Sequence, residues 1–291
     1  MKIVQYISAI AVLSVILSSS AIAVNTAQST ETAEITTEDG YRPRLPKRIR
    51  HKIKDHHVTD ASASTSYGWY CRHLTDGKIP PCPSEMNFIS DYNGVYIGNT
   101  EKKVIYLTFD AGYENGNIAK ILDTMKEKNV TGAFFVLENI VKQNGDLIRR
   151  MADEGHLICN HTAKHRDMSN ITSESTFKAE LDSLNDICKE AGVECAPFYR
   201  PPEGRFSISN LKAAQKYGYT TVFWSFAYAD WDNNSQPDCE KAKQKILDGT
   251  HNGMILLLHP TSSTNAEILG NLIDEWRNMG YTFGSLEELR K

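Results

Sequence analysis

Three polar residues each close an apolar run: Asp110 after Val104 to Phe109, Arg200 after Pro197 to Tyr199, and His259 after Met254 to Leu258. Asp230 follows a fourth run, Thr220 to Ser225, and His161-Thr162-Ala163-Lys164-His165 follows a fifth, His156 to Asn160. Converging at strand ends, these groups look like an active site for general acid-base chemistry, which needs a base, an acid and a charge that steadies the transition state. Asp110 is the candidate base, because the run delivers it straight into the turn Ala111-Gly112-Tyr113-Glu114-Asn115. His259 is the candidate acid. His161 and His165, four residues apart, can face one divalent cation if their segment is helical. Ordinary roles remain open for each: Asp110 as a turn former, Arg200 as a structural ion-pair partner, His259 as a hydrogen-bonded strand end, the histidine pair as turn caps.

The elements that position these groups alternate. Val104 to Phe109, Ala133 to Leu137, His156 to Asn160, Pro197 to Arg200, Thr220 to Ser225, Met254 to His259 and Tyr281 to Phe283 read as short strands. Between them, Ile118, Ile121, Leu122 and Met125 fall at helical spacing, as do Leu269, Leu272, Ile273 and Trp276, so each helix covers a sheet face. Glu114 and Asn115 are expected to cap the helix that begins near Asn117. About seven strand-helix units imply an α/β fold with a parallel sheet closed, or nearly closed, into a barrel. In such folds chemistry sits at the carboxyl ends of the strands, where these polar groups lie. Trp224 and Trp276 are expected in the core; Trp69 is unassigned.

In order and spacing, the Thr108-Phe109-Asp110-Ala111-Gly112, His161 to His165, Arg200-Pro201-Pro202, Asp230-Trp231 and Leu256-Leu257-Leu258-His259 blocks resemble the NodB-type polysaccharide deacetylases, carbohydrate esterase family 4. The resemblance covers roughly Tyr67 to Leu289. Phe109 to Asn115 and Asn93-Gly94-Val95-Tyr96 are most similar to the delta-lactam branch, which deacetylates N-acetylmuramic acid in spore-cortex peptidoglycan. It implies a distorted (β/α) barrel, Asp110 as base oriented by Arg200, and His259 as acid held and charged by Asp230. Trp231 and Leu257 would wall the acetyl pocket, with Tyr113 a further substrate contact. A divalent metal, zinc by expectation, would sit on His161 and His165. The family pattern departs at Ala111, where most members carry a carboxylate ligand. Three arrangements stay open: a cation held by the two histidines and water, one that adds Asp110, or none. The first is favoured. A muramyl-selective site also needs a cation for the lactyl carboxylate, and Arg205, three residues past Pro202, is the candidate, with a solvated surface role as the alternative. Deacetylation of N-acetylglucosamine and an inactive glycan binder are the alternatives.

The 291 residues, 41% hydrophobic, suffice for one such domain, since an α/β barrel takes about 200 to 250. Residues 1–23 read as a secretory signal, with an uncleaved anchor as alternative, because the apolar run approaches the ~20 residues that span a bilayer. Residues 24–66 read as a linker and 67–291 as the catalytic domain. Within residues 42–57, seven arginines and lysines stand against Asp55, in a chain of net charge −4. That segment suits anionic lipid or wall polymer, or is a solvated tether. The expected partner is peptidoglycan, with no nucleic acid, and the protein is expected to be an exported monomer. Of six cysteines, Cys71 with Cys82 and Cys188 with Cys195 are plausible bridges, and free thiols are the alternative.

Overall fold

The computed structural model describes residues 63–290; the expected export segment and the basic segment lie outside them. Short strands β1 (Tyr67–Gly68) and β2 (Gly94–Val95) precede β3 (Val104–Ala111) and α1 (Asn117–Glu127). Next come β4 (Ala133–Val136), α2 (Glu138–Gln143), α3 (Gly145–Asp153), β5 (Leu157–Asn160), α4 (Glu174–Glu190) and β6 (Ala196–Tyr199). The chain ends through β7 (Arg205–Phe206), α5 (Ile208–Lys216), β8 (Thr220–Val222), α6 (Cys239–Asp248), β9 (Met254–Leu258), α7 (Ser263–Asn278) and β10 (Thr282–Phe283).

The large sheet is parallel, in the order β10, β3, β4, β5, β6, β8, β2, with β9 also paired to β3. A parallel bridge from Phe226 to Leu256 ties the segment after β8 to β9. The sheet thus curls into a distorted barrel, as the resemblance implied. Buried on both faces, these strands had to be continuous apolar runs. Alternation along β3 sorts its side chains. Ile105, Leu107, Phe109 and Ala111 join the cluster under the helices, whereas Val104 and Tyr106 pack in a second cluster with Phe135, Phe198 and Ile255. Asp110, with the register of Tyr106, therefore comes to the strand end on the inner face.

α1 and α7 cover the sheet through the positions their periodicity marked, and Trp276 is fully buried. Their starts are built by side chains. Glu114 accepts from the backbone N–H groups of Gly116 and Ile118, while Ser262 caps α7 by accepting from Asn265 N–H.

Residues just before Tyr67 also contact the elements that follow. Ser66 donates to Ser169, and Ala63 O accepts from the Ser209 hydroxyl. β1 then pairs antiparallel with β7, and buried Trp69 stacks on Phe223 and donates from Nε1 to Trp224 O. Its backbone N–H donates to Gly204 O, so this N-terminal arm lies across the Arg-Pro-Pro block.

All six cysteines are free, which answers the bridge expectation for the described residues. Cys71 lies against the Ala227 backbone and Cys82 beside Tyr96, while Cys188 and Cys195 are hydrogen-bonded neighbours. No helix among the described residues is long and apolar enough to cross a membrane.

Candidate active site

At the carboxyl ends of the strands a cavity of about 640 Å³ gathers Asp110, His161, His165, Leu257 and His259, with Tyr113 and Trp231 beside them. Arg200, just past β6, has no solvent exposure. Its guanidinium donates to Asp110 Oδ1 at 2.7 Å, to Thr108 Oγ1 at 2.8 Å and to Val222 O at 3.1 Å, and lies 4.1 Å from the Phe135 ring centre. Burial alone would raise the Asp110 pKa. The Arg200 guanidinium, foremost, overcomes that and holds it below the ordinary carboxylate value. Asp110 is thus ionised at neutral pH, with Oδ1 committed to Arg200.

Across the cavity stands the second pair. Asp230, itself buried, accepts from His259 Nδ1 at 2.7 Å and from His259 N–H at 2.8 Å. Nδ1 is therefore the protonated nitrogen in the neutral ring, and Nε2 is left for the cavity. Burial would lower the His259 pKa, yet the Asp230 carboxylate raises it above the ordinary histidine value.

The histidine pair meets by a route other than the expected helix. Residues 161–167 are irregular, and Thr162 and His165 sit in the left-handed region, at φ of 71° and 52°. For a β-branched threonine this is strained backbone, and such strain concentrates at functional sites. The turn is held by Asn160 Oδ1, which accepts from Thr162 N–H, and Thr162 Oγ1, which accepts from His165 N–H. The two rings come to 5.2 Å between centres. His161 Nδ1 lies 2.9 Å from Arg200 O, which can only accept, so Nδ1 carries the proton and Nε2 a lone pair. Burial depresses the His161 pKa to about 4, which keeps the ring neutral. That bare Nε2 faces Asp110 Oδ2 at 3.5 Å. Two electron-pair donors turned toward each other with no proton between them fit a cation. No group of three His, Cys, Asp or Glu arranged for a metal occurs among the described residues. Ala111 is fully buried under the helices and does not line the cavity.

Two expectations fail here. Arg205 does not line the cavity: it lies 3.7 Å from Asp167 and 3.5 Å from Glu203, on the exposed edge of β7. The cause is local, since Glu203 and Gly204 both take positive φ and turn the chain before it. Trp224 is no simple core residue either, because it lines the cavity and lies over the Arg200 guanidinium. Trp231 and Tyr113 flank the opening, 60% and 44% exposed, and Tyr113 accepts a hydrogen bond from Asn233. Asn265 also contacts Asp230, and its place on the first turn of α7, just after the Ser262 cap, gives no sign of that contact in the sequence.

Barrel and paired site together define a polysaccharide deacetylase. The family model of that description matches residues 97–222, and the chain belongs to the polysaccharide deacetylase family, as the motif blocks indicated. It is 40% identical over 232 residues to the peptidoglycan-N-acetylmuramic acid deacetylase PdaA of Bacillus subtilis (strain 168), covering 79% of this chain and 88% of that protein. The solved structure of Bacillus subtilis PdaA, a family 4 carbohydrate esterase, matches with a TM-score of 0.75 at 39% identity, over 78% of this chain and 97% of that one. A CE4 family pseudoenzyme from Bacillus anthracis is also similar, with a TM-score of 0.62 at 26% identity, over 67% of this chain and 68% of that one.

Proposed function

We propose that the protein is an exported hydrolase that removes the N-acetyl group from N-acetylmuramic acid residues of peptidoglycan. The observation that carries this reading is the pair of dyads opposed across one cavity, Asp110 with Arg200 and His259 with Asp230. Likeness to the Bacillus subtilis N-acetylmuramic acid deacetylase supports the substrate. Asp110 Oδ2, the oxygen Arg200 does not hold, takes a proton from water as the water oxygen attacks the acetyl carbonyl. The imidazolium form of His259, which the Asp230 carboxylate favours, then gives its Nε2 proton to the sugar nitrogen as the C–N bond breaks, leaving acetate and a free amine. Leu257, Trp224 and Trp231 wall the cavity and suit the acetyl methyl. The amine can close on the lactyl carboxyl with loss of water, giving the muramic delta-lactam of spore cortex.

His161 and His165, with water, would hold a divalent cation, zinc in this proposal. When bound it supplies a Lewis acid that polarises the acetyl carbonyl. Two protein ligands make a weak site, so dialysis against chelator is expected to lower the rate and added zinc to restore it. Calorimetric titration of zinc into the chelated protein should find one site, lost in His161→Ala. A metal-free protein with its full rate would remove the cation from the reaction. Outside the described residues, the basic segment 42–57 would hold the enzyme against anionic lipid or wall polymer.

The test of the function is to treat peptide-stripped peptidoglycan, digest it, and identify by mass spectrometry which sugar lost its acetyl group. Loss from muramic acid is expected. Loss from glucosamine alone would make the protein an N-acetylglucosamine deacetylase. A second reading, an inactive glycan binder, draws support from Ala111 and from the similar pseudoenzyme; binding without acetate release would establish it.

A further inference from the structure

Asp230 is the hub of a buried network that extends beyond His259. Its Oδ2 accepts from Asn265 Nδ2 at 2.6 Å, and the same amide group donates its other proton to His259 O at 3.1 Å. Both protons of Nδ2 are thus used, one on each member of the acid pair. Asn265 Oδ1 accepts from the hydroxyl of Tyr228. Burial raises the pKa of that phenol, so it remains a donor and fixes which way round the amide stands. Asn265 has no solvent exposure, and α7 holds its backbone through the Ser262 cap. The helix start uses only the Asn265 backbone and needs none of these side-chain contacts.

We propose that Asn265, oriented by Tyr228, is a positioning residue for the acid: it locks Asp230 so that Oδ1 faces His259 and His259 Nε2 faces the cavity. This rests on the reading of His259 as the acid. With Asn265 Nδ2 and His259 N–H both on Oδ2, the carboxylate cannot rotate, and Oδ1 stays turned to the imidazole. The charged groups that act on the His259 ring are Asp230 from the loop before α6, Asp110 from β3 and Arg200 from the end of β6. Asn265 governs the nearest of them.

The test is a titration of the His259 Cε1–H signal by NMR in the full chain, beside kcat and KM for acetate release from peptide-stripped peptidoglycan. Asn265→Ala frees a lone pair on Oδ2, so the carboxylate holds the imidazolium more tightly. The His259 midpoint is expected to rise, and kcat to fall ~10 to 100-fold with KM changed less than about 3-fold, within the range of a misplaced general acid. Tyr228→Phe should act in the same direction and less. The double variant should be no worse than Asn265→Ala alone, because the two act through one chain of bonds. A merely structural role would lower the melting temperature and leave the His259 titration in place; that result, in a folded Asn265→Ala protein, overturns the proposal. His259→Ala separates the two readings. If it keeps the full rate, His259 is not the acid and the function is misassigned at that step, whereas an inactive His259→Ala beside an unchanged Asn265→Ala refutes the positioning role alone.

Discussion

Asp110→Asn is expected to lower acetate release from peptidoglycan by ~10² to 10⁴-fold, the range a general base contributes, with the fold retained. The amide keeps the shape of the carboxylate and can still accept from Arg200 NH1, so the Thr108 and Val222 contacts of the guanidinium persist. What is lost is the anionic Oδ2, the one oxygen of Asp110 not held by Arg200. KM should change little, because the proton is taken only on the way to the transition state. Full activity in a folded Asp110→Asn protein would remove Asp110 from the mechanism.

Arg200→Met carries the second large effect, on stability as well as rate. Methionine fills much of the same volume against Phe135 but leaves the Asp110 carboxylate without its main counter-charge, in a place with almost no water. Breaking a buried pair in this way costs about 3 to 5 kcal/mol. The pH dependence has a definite sign. In the native protein the Asp110 pKa is depressed, so its ionised form adds stability above the ordinary carboxylate pKa, and that contribution is lost as pH falls through the native value. With Arg200 removed, burial is no longer overcome and the pKa rises. The folded variant then binds the extra proton, so its stability deficit against wild type should shrink as pH is lowered, and the acid limb of kcat/KM should move to higher pH. Urea unfolding at several pH values and a pH-rate profile measure both. A variant as stable as wild type at neutral pH, with an unmoved acid limb, would reduce Arg200 to a bystander.

Much of this architecture is written in the sequence for a plain reason. A parallel strand covered on both faces has to be apolar throughout, so a lone Asp, Arg or His at its end stands out and is placed at the mouth of the barrel. β3, β9 and the two helices that cover them were legible on those grounds, and so were Asp110, Arg200 and His259. Directions within irregular segments were not. Nothing in the letters His-Thr-Ala-Lys-His announces that a β-branched residue takes positive φ, yet that turn, and no helix, brings the two imidazoles together. Arg205 failed for a related reason: two successive left-handed residues, Glu203 and Gly204, swing it toward Asp167, which spacing along the chain cannot register. For Ala111 the clue was available. It follows Asp110 by one position on a strand, and period two sends it to the opposite face.

The arm that carries Trp69 sets an order on the folding of this protein. Trp69 reaches Trp224 across 155 positions, and its neighbour Tyr67 pairs with Phe206, so the arm has nothing to dock on until β6, β7 and β8 exist. It is among the first of the described residues to be synthesised and must wait for the others. Loop closure over such a span is entropically unfavourable, so seating the arm must follow the formation of the segments it docks on. Since the arm braces Gly204 and Trp224, the surroundings of Arg200 are completed only when it is seated, so the finished site depends on a segment that lies far from every catalytic side chain in the sequence.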